Sequence, residues 1–183
     1  MSSISFETKL YKIKSWTILR LPEEVSAKLP SRGMIMVTGS INGLPFKTLL
    51  EPDGRYGPGL KPSHWFAPSE KLLKDTQAKT GDSVKISIEP TNEWIEPVIP
   101  EDFDVALRKS PKAMTIWKDI TPLARWDWIR WINSTKSPDT RHHRIDVLCS
   151  KMEAGKRRVC CFDRTKCTEI FLSRNGVLTF PSI

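Results

Sequence analysis

Met34-Ile-Met-Val-Thr-Gly-Ser-Ile41-Asn42-Gly43-Leu44-Pro-Phe-Lys-Thr-Leu-Leu50 decides the fold of the first half of the chain. Asn-Gly between two β-prone runs is the strongest short-range hairpin signal, because both residues tolerate the positive φ of a two-residue type I′ turn. Strands over 34–41 and 44–50 are therefore expected to pair. Working outward, Ile4, Phe6, Thr8 and Leu10 alternate with polar residues, and Trp16 to Leu21 stays rich in β-formers, giving two strands or one bent strand. His64-Trp65-Phe66 reads as a short strand and Val84-Lys-Ile-Ser-Ile-Glu89 as an alternating one. Pro22 to Leu29 has length for two helical turns, and Ser69 opens a short helix to Gln77. About six short strands with hairpin turns and no βαβ alternation predict a small closed barrel, not a parallel sheet.

Pro97-Val-Ile-Pro100 ends the β pattern. Glu101 opens a helix to about Lys109, Ser110-Pro111 starts a second, Pro122 a third reaching about Ser134, and Ser137-Pro138 a fourth that stops at Gly155. Ser followed by Pro supplies an N-cap hydroxyl and then a residue that needs no amide hydrogen, while Gly adopts the left-handed helix stop. The expected fold class is α+β: a small closed β-barrel over 1–96, of double-split-barrel type, then a helical domain over 97–183 with a Cys-containing extension. Past Arg158, Val159-Cys-Cys-Phe and Ile170-Phe-Leu each read as a strand or as an extended tail.

The chain has 183 residues, 39% hydrophobic, with 29 Lys/Arg against 21 Asp/Glu. No apolar run approaches the roughly 18 residues that a membrane-crossing helix needs, so no membrane insertion is expected. The N-terminal residues show neither a basic nor an apolar signal region, so a cytoplasmic location with reduced thiols is expected. Residues 1–104 carry 13 Lys/Arg and 14 Asp/Glu, whereas residues 105–168 carry 15 and 6. Such asymmetry points either to an acidic partner or to a solvated basic helical surface.

Two stretches resemble known families. Gly39-Ser-Ile-Asn-Gly-Leu-Pro-Phe with Gly81-Asp-Ser-Val-Lys-Ile-Ser-Ile is similar to a small β-barrel domain of unknown function. Pro100-Glu-Asp-Phe-Asp-Val-Ala-Leu, Trp131-Ile, Thr140-Arg-His-His-Arg-Ile and Gly155-Lys-Arg resemble the helical domain of YdeI/OmpD-associated, or bacteriocin-protection, proteins. The motifs span roughly 4–158. The resemblance implies association with protection against toxic peptides, antibiotics and other stress, and brings no catalytic mechanism.

On the fourth helix Arg141, Ile145, Leu148 and Met152 fall on one stripe, with Arg144 one step round. A guanidinium heading an apolar stripe needs a fixed acceptor, because it cannot shed its charge. Arg141 either pairs with an acid of the barrel or of the Glu101 to Asp104 helix, or joins Arg144 in forking onto a ligand anion between barrel and helices. On the third helix Trp131 is expected in the core. Trp128 is expected partly exposed beside Arg125 and Arg130, a platform for stacking or cation–π contact. Trp128, Trp131, Arg141 and Arg144 are thus the candidate ligand-binding residues.

Cys160, Cys161 and Cys167 lack zinc-site spacing, so no metal is expected even with His142 and His143 nearby in sequence. Flanking Arg157, Arg158 and Arg164 would favour thiolates and a redox role; small buried thiols in a C-terminal wrap are the simpler alternative. No nucleophile elbow, Walker loop, dinucleotide fingerprint or His-Glu-x-x-His motif is present, and His64 beside Trp65 reads as a packed loop histidine. No enzyme activity and no cofactor are expected. The expected function is a binding protein that sequesters a toxic peptide or an amphipathic or anionic small molecule in a Trp/Arg-lined cleft. The alternatives are a nucleic-acid-associated regulator and a thiol-based redox sensor.

Overall fold

The computed structural model describes residues 3–179 except Tyr56 and Leu60. It divides into two compact units: Glu93 and the described residues before it, joined by Arg164–Cys167 and the described residues from Leu172 on; and Trp94–Asp163 with Thr168–Phe171. The first boundary falls slightly ahead of the expected 96/97. The tail departs further from expectation, since most of it belongs with the barrel unit and not with the helices. Each unit is described by itself.

The first unit is a closed antiparallel barrel of six strands: β1 (Ile4–Ile13), β2 (Trp16–Arg20), β3 (Ile35–Ile41), β4 (Leu44–Pro52), β5 (His64–Phe66) and β6 (Ser83–Pro90), in the order β1-β2-β5-β4-β3-β6. The Asn42-Gly43 turn has φ of 48° and 87°, the double positive value of a type I′ turn, and pairs Ile41 with Leu44. Its tip is fastened to β6, because Asn42 N donates to the Lys85 carbonyl at 2.8 Å and Lys85 N donates to Asn42 Oδ1 at 2.9 Å. Lys14 at φ 54° turns the chain between β1 and β2, so the β-rich stretch is two strands. Alternation carries the core: Val84, Ile86 and Ile88 point inward with Leu10, Leu19, Val37 and Ile41. Strand β3 approaches β6 so closely at Gly39 that a Cβ there would lie 2.0 Å from the Ser87 carbonyl oxygen.

Helix α1 (Glu23–Ser26) is shorter than two turns, and α2 (Glu70–Thr76) is capped by Ser69, whose hydroxyl accepts from Leu72 N. The tail adds β7 (Ser173–Arg174) and β8 (Val177–Leu178), paired across Asn175-Gly176, with φ of 53° and 76°. Cys167, Leu172 and Leu178 pack there with Ile18 and Trp65 into a second cluster of this unit. Neither segment weighed as a tail strand, at 159–162 or 170–172, is one.

The second unit holds α3 (Glu101–Lys109), α4 (Pro111–Asp119), α5 (Pro122–Asn133) and α6 (Pro138–Glu153). Ser110, Thr121 and Ser137 each accept a hydrogen bond from the backbone N–H three residues on, and each is followed by Pro. This repeated cap fixes three helix starts where the sequence puts them. Gly155, at φ 78°, closes α6 by donating to the Met152 carbonyl, while Lys156 N reaches Lys151. Phe103, Leu107, Trp117, Trp128, Ile132, Ile145, Leu148 and Met152 form the core. Among the described residues no helix is long and apolar enough to cross a membrane.

Candidate functional site

Helix α5 is wrapped in apolar groups nearly all round and is accordingly sandwiched, with Ala124, Trp128, Ile129 and Ile132 buried. Trp128 is only 2% exposed, which corrects the expectation of an exposed indole platform there. Its side chain faces Trp131 edge-on at 5.8 Å, and it is Trp131 that remains half-buried at the edge of the core. The two tryptophans have exchanged their expected places, since the arc carrying Trp128 also carries Ala124 and is covered by neighbouring helices. The arginines meant to flank the platform are engaged: Arg125 reaches Glu96 and the Trp117 and Lys118 carbonyls, and Arg130 bonds Thr168 and stacks on Phe162.

The stripe on α6 is as expected, with Ile145, Leu148 and Met152 buried beneath Arg141. Arg141 uses the Nε/Nη2 edge of its guanidinium on Asp102, at 2.6 and 2.9 Å, and Nη1 on Asn133 Oδ1 at 2.7 Å. This is the structural alternative of a pair with the Glu101 to Asp104 helix. The guanidinium holds the Asp102 carboxyl below its usual range, chiefly through the hydrogen bond.

Arg144 is arranged differently. Its Nη1 donates to the Trp131 carbonyl and to Ser134 Oγ at 2.8 Å, closing the last turn of α5, and its guanidinium lies over the Trp131 ring, 5.3 Å from the centroid. Burial alone pulls its pKa down, and among the described residues no carboxylate pairs with it. The Nε/Nη2 edge, which Arg141 spends on Asp102, has no acceptor in Arg144 among the described residues. That edge is the bidentate fork by which arginine grips a carboxylate or phosphate. A half-buried indole at the edge of the core with an unclaimed guanidinium edge at its face is what the helical unit offers to a ligand.

The charge asymmetry does not survive the unit boundary. Glu96, Glu101, Asp102 and Asp104 precede residue 105 but belong with the helices, so the helical unit holds 13 Lys/Arg against 11 Asp/Glu. The barrel unit holds 16 against 10 and is the more basic of the two. Within the helical unit Arg108, Arg125, Arg141 and Arg157 are each paired with an acid.

Cys160 and Cys161 are exposed and Cys167 is buried, so the three thiols do not share one environment. Arg157, expected to favour thiolates, bonds the Asp119 carboxylate and carbonyl. Among the described residues no group of three or more His, Cys, Asp and Glu side chains could hold a metal ion.

His64 is not in a loop: it sits in β5, 2% exposed, and hydrogen bonds through both ring nitrogens. Nδ1 meets Ser26 Oγ at 2.6 Å and Nε2 meets the Gly33 carbonyl at 2.9 Å. Burial lowers its pKa, outweighing the opposing pull of the Gly33 bond and Asp53. Sequence reasoning missed this pairing because Ser26 and Gly33 carry no motif; they meet only when the barrel closes.

Residues 6–88 match the family model of a domain of unknown function, DUF1905, and residues 96–155 match that described as bacteriocin-protection, YdeI or OmpD-associated. The two matches tile the barrel and the helices in chain order, and neither family is a known enzyme family. No curated protein matches the chain. The helical unit thus carries a match to the bacteriocin-protection, YdeI or OmpD-associated family model, behind a barrel that matches DUF1905.

Proposed function

We propose that this protein acts in protection by binding, not by catalysis, and that it sequesters a toxic peptide or amphipathic small molecule bearing an anionic group. The observation that carries the reading is the Nε/Nη2 edge of Arg144, unclaimed among the described residues, over the half-buried Trp131 ring. The indole supplies an apolar wall and the guanidinium fixes the acid by two parallel hydrogen bonds. Trp128 packs edge-on against Trp131, and Arg141 is spent on Asp102, tying α6 to α3. The family's association with bacteriocin protection supplies the ligand class.

Arg144→Lys tests it. Lysine keeps the charge near the end of α5 but has no fork. Cells relying on this protein should lose protection against membrane-active peptides with Arg144→Lys or Trp131→Ala, while the variant proteins remain folded by circular dichroism. Undiminished protection by both folded variants would remove the site.

A further inference from the structure

A cavity of about 600 Å³ opens in the barrel unit, lined by α1 and the chain that follows it, Glu23 to Arg32, and by Lys61 to His64. Its size is that of a small-molecule site; four of the twelve residues lining it are apolar, and Glu23, Glu24, Arg32 and Lys61 are the charged ones. Leu29, Pro30 and Pro62 supply the walls. Arg32 and Lys61 stand exposed at its edge, and among the described residues neither pairs with a carboxylate. Glu23, by contrast, lies 3.5 Å from Arg20.

Ser26 defines the buried end. The Gly33 carbonyl can only accept, so His64 Nε2 carries the ring proton and Nδ1 is left as an acceptor. Ser26 must therefore donate its hydroxyl hydrogen to Nδ1. Among the described residues its oxygen has no other partner and keeps its acceptor capacity, so the tautomer forced by a backbone carbonyl turns Ser26 into an acceptor at the cavity wall.

We propose that this cavity binds a small amphipathic carboxylate carrying a hydrogen-bond donor, the chemistry of a peptide's C-terminal residue or of an N-acyl amino acid. The carboxylate sits with Arg32 and Lys61, the apolar side chain lies on Leu29, Pro30 and Pro62, and the amide N–H donates to Ser26 Oγ. The excess of basic residues in the barrel unit adds long-range attraction for such an anion. The site shares no residue with the Trp131/Arg144 surface and stands or falls apart from it.

The test uses the full-length protein and calorimetry with two probes, N-acetyl-leucine and a hexapeptide ending in leucine, each as free acid and as C-terminal amide. Saturable binding of an acid, weakened about ten-fold or more by amidation and by the double variant Arg32→Gln/Lys61→Gln, supports the proposal; the acids share one net charge-assisted contact on that scale. Both substitutions are at exposed positions, so the fold is preserved. Binding lost in Arg144→Lys but kept in the double variant assigns the acid to the helical unit and overturns the proposal. Binding of the hexapeptide assigns the site to peptide ends, and binding of N-acetyl-leucine alone assigns it to free small acids. No saturable binding of either acid, equal binding of acid and amide, or indifference to the double variant overturns it.

Discussion

Arg141 and Asp102 form a two-pronged ion pair, Nε to Oδ2 at 2.6 Å and Nη2 to Oδ1 at 2.9 Å, joining the first turn of α6 to the first turn of α3. The acid is nearly half exposed, so solvent screens the pair, and exposed pairs contribute roughly 0.2–1 kcal/mol. The third contact, to Asn133, puts this one toward the upper end. Arg141→Ala should therefore lower the thermal midpoint by about 2–4 °C, the scale for 1 kcal/mol in a chain of this size. Ligand affinity of the folded variant should be unaffected. A loss of affinity with no change in midpoint would make Arg141 part of the ligand site.

Gly39 should tolerate no side chain. A Cβ placed there would meet backbone, the Ser87 carbonyl oxygen at 2.0 Å, and β3 and β6 cannot separate without opening the barrel. Gly39→Ala is expected to cost about 3 kcal/mol, the upper range for overpacking. Gly43→Ala makes the control: nothing lies within 4 Å of its Cβ, so only the positive φ is penalised, by about 1 kcal/mol. Urea midpoints should rank wild type, Gly43→Ala and Gly39→Ala in that order, and equal midpoints for the two variants would contradict the close approach.

These two cases show what the sequence makes legible. Asn42-Gly43, the alternation of Val84, Ile86 and Ile88, and the Ser-Pro starts of α4 and α6 are local signals with local causes, and each element stands where those residues place it. The tail carried an equally local signal, a second Asn-Gly at 175–176, which forms the β7–β8 turn and was masked by flanking strands only two residues long. The site was harder because its chemistry depends on which atoms are already spoken for. Helical periodicity places Arg141 and Arg144 near each other, yet only the fold reveals that Asp102 claims the fork of one and leaves that of the other. Likewise Trp128 and Trp131 differ by three positions on α5, and burial distinguishes them through neighbours that a single helix cannot show.

The thiols should sort by exposure. Cys160 and Cys161 are open to solvent, Cys167 is buried, and burial raises the pKa of half-buried Cys149, with Glu153 and Asp146 adding to the shift. Thiolate is the reactive form, so a disulfide reagent at pH 7.5 should titrate two thiols rapidly and the other two only after denaturant is added. Cys160→Ser/Cys161→Ser should abolish the rapid phase. A rapid phase surviving in that variant would mean that Cys149 or Cys167 is reached in the native protein.

His64 should make the barrel unit acid-sensitive. Its folded-state pKa lies below that of an ordinary histidine, about 6.5, because burial disfavours the imidazolium more than Gly33 and Asp53 favour it. Between the folded and unfolded values the unfolded chain binds more protons, so stability rises with pH and is lost on acidification through about pH 6.5. Protonation of Nδ1 would also set its hydrogen against the Ser26 hydroxyl hydrogen, forcing that group to rotate. His64→Gln removes the titration while its amide can still donate to the Gly33 carbonyl. Urea midpoints measured from pH 7.5 down to pH 5 should fall for the wild type and stay flatter for the variant, the carboxylates titrating mainly below that window. Parallel curves for the two proteins would show that His64 is protonated alike in the folded and unfolded chain, and the buried Ser26–His64–Gly33 arrangement would then not hold the ring neutral.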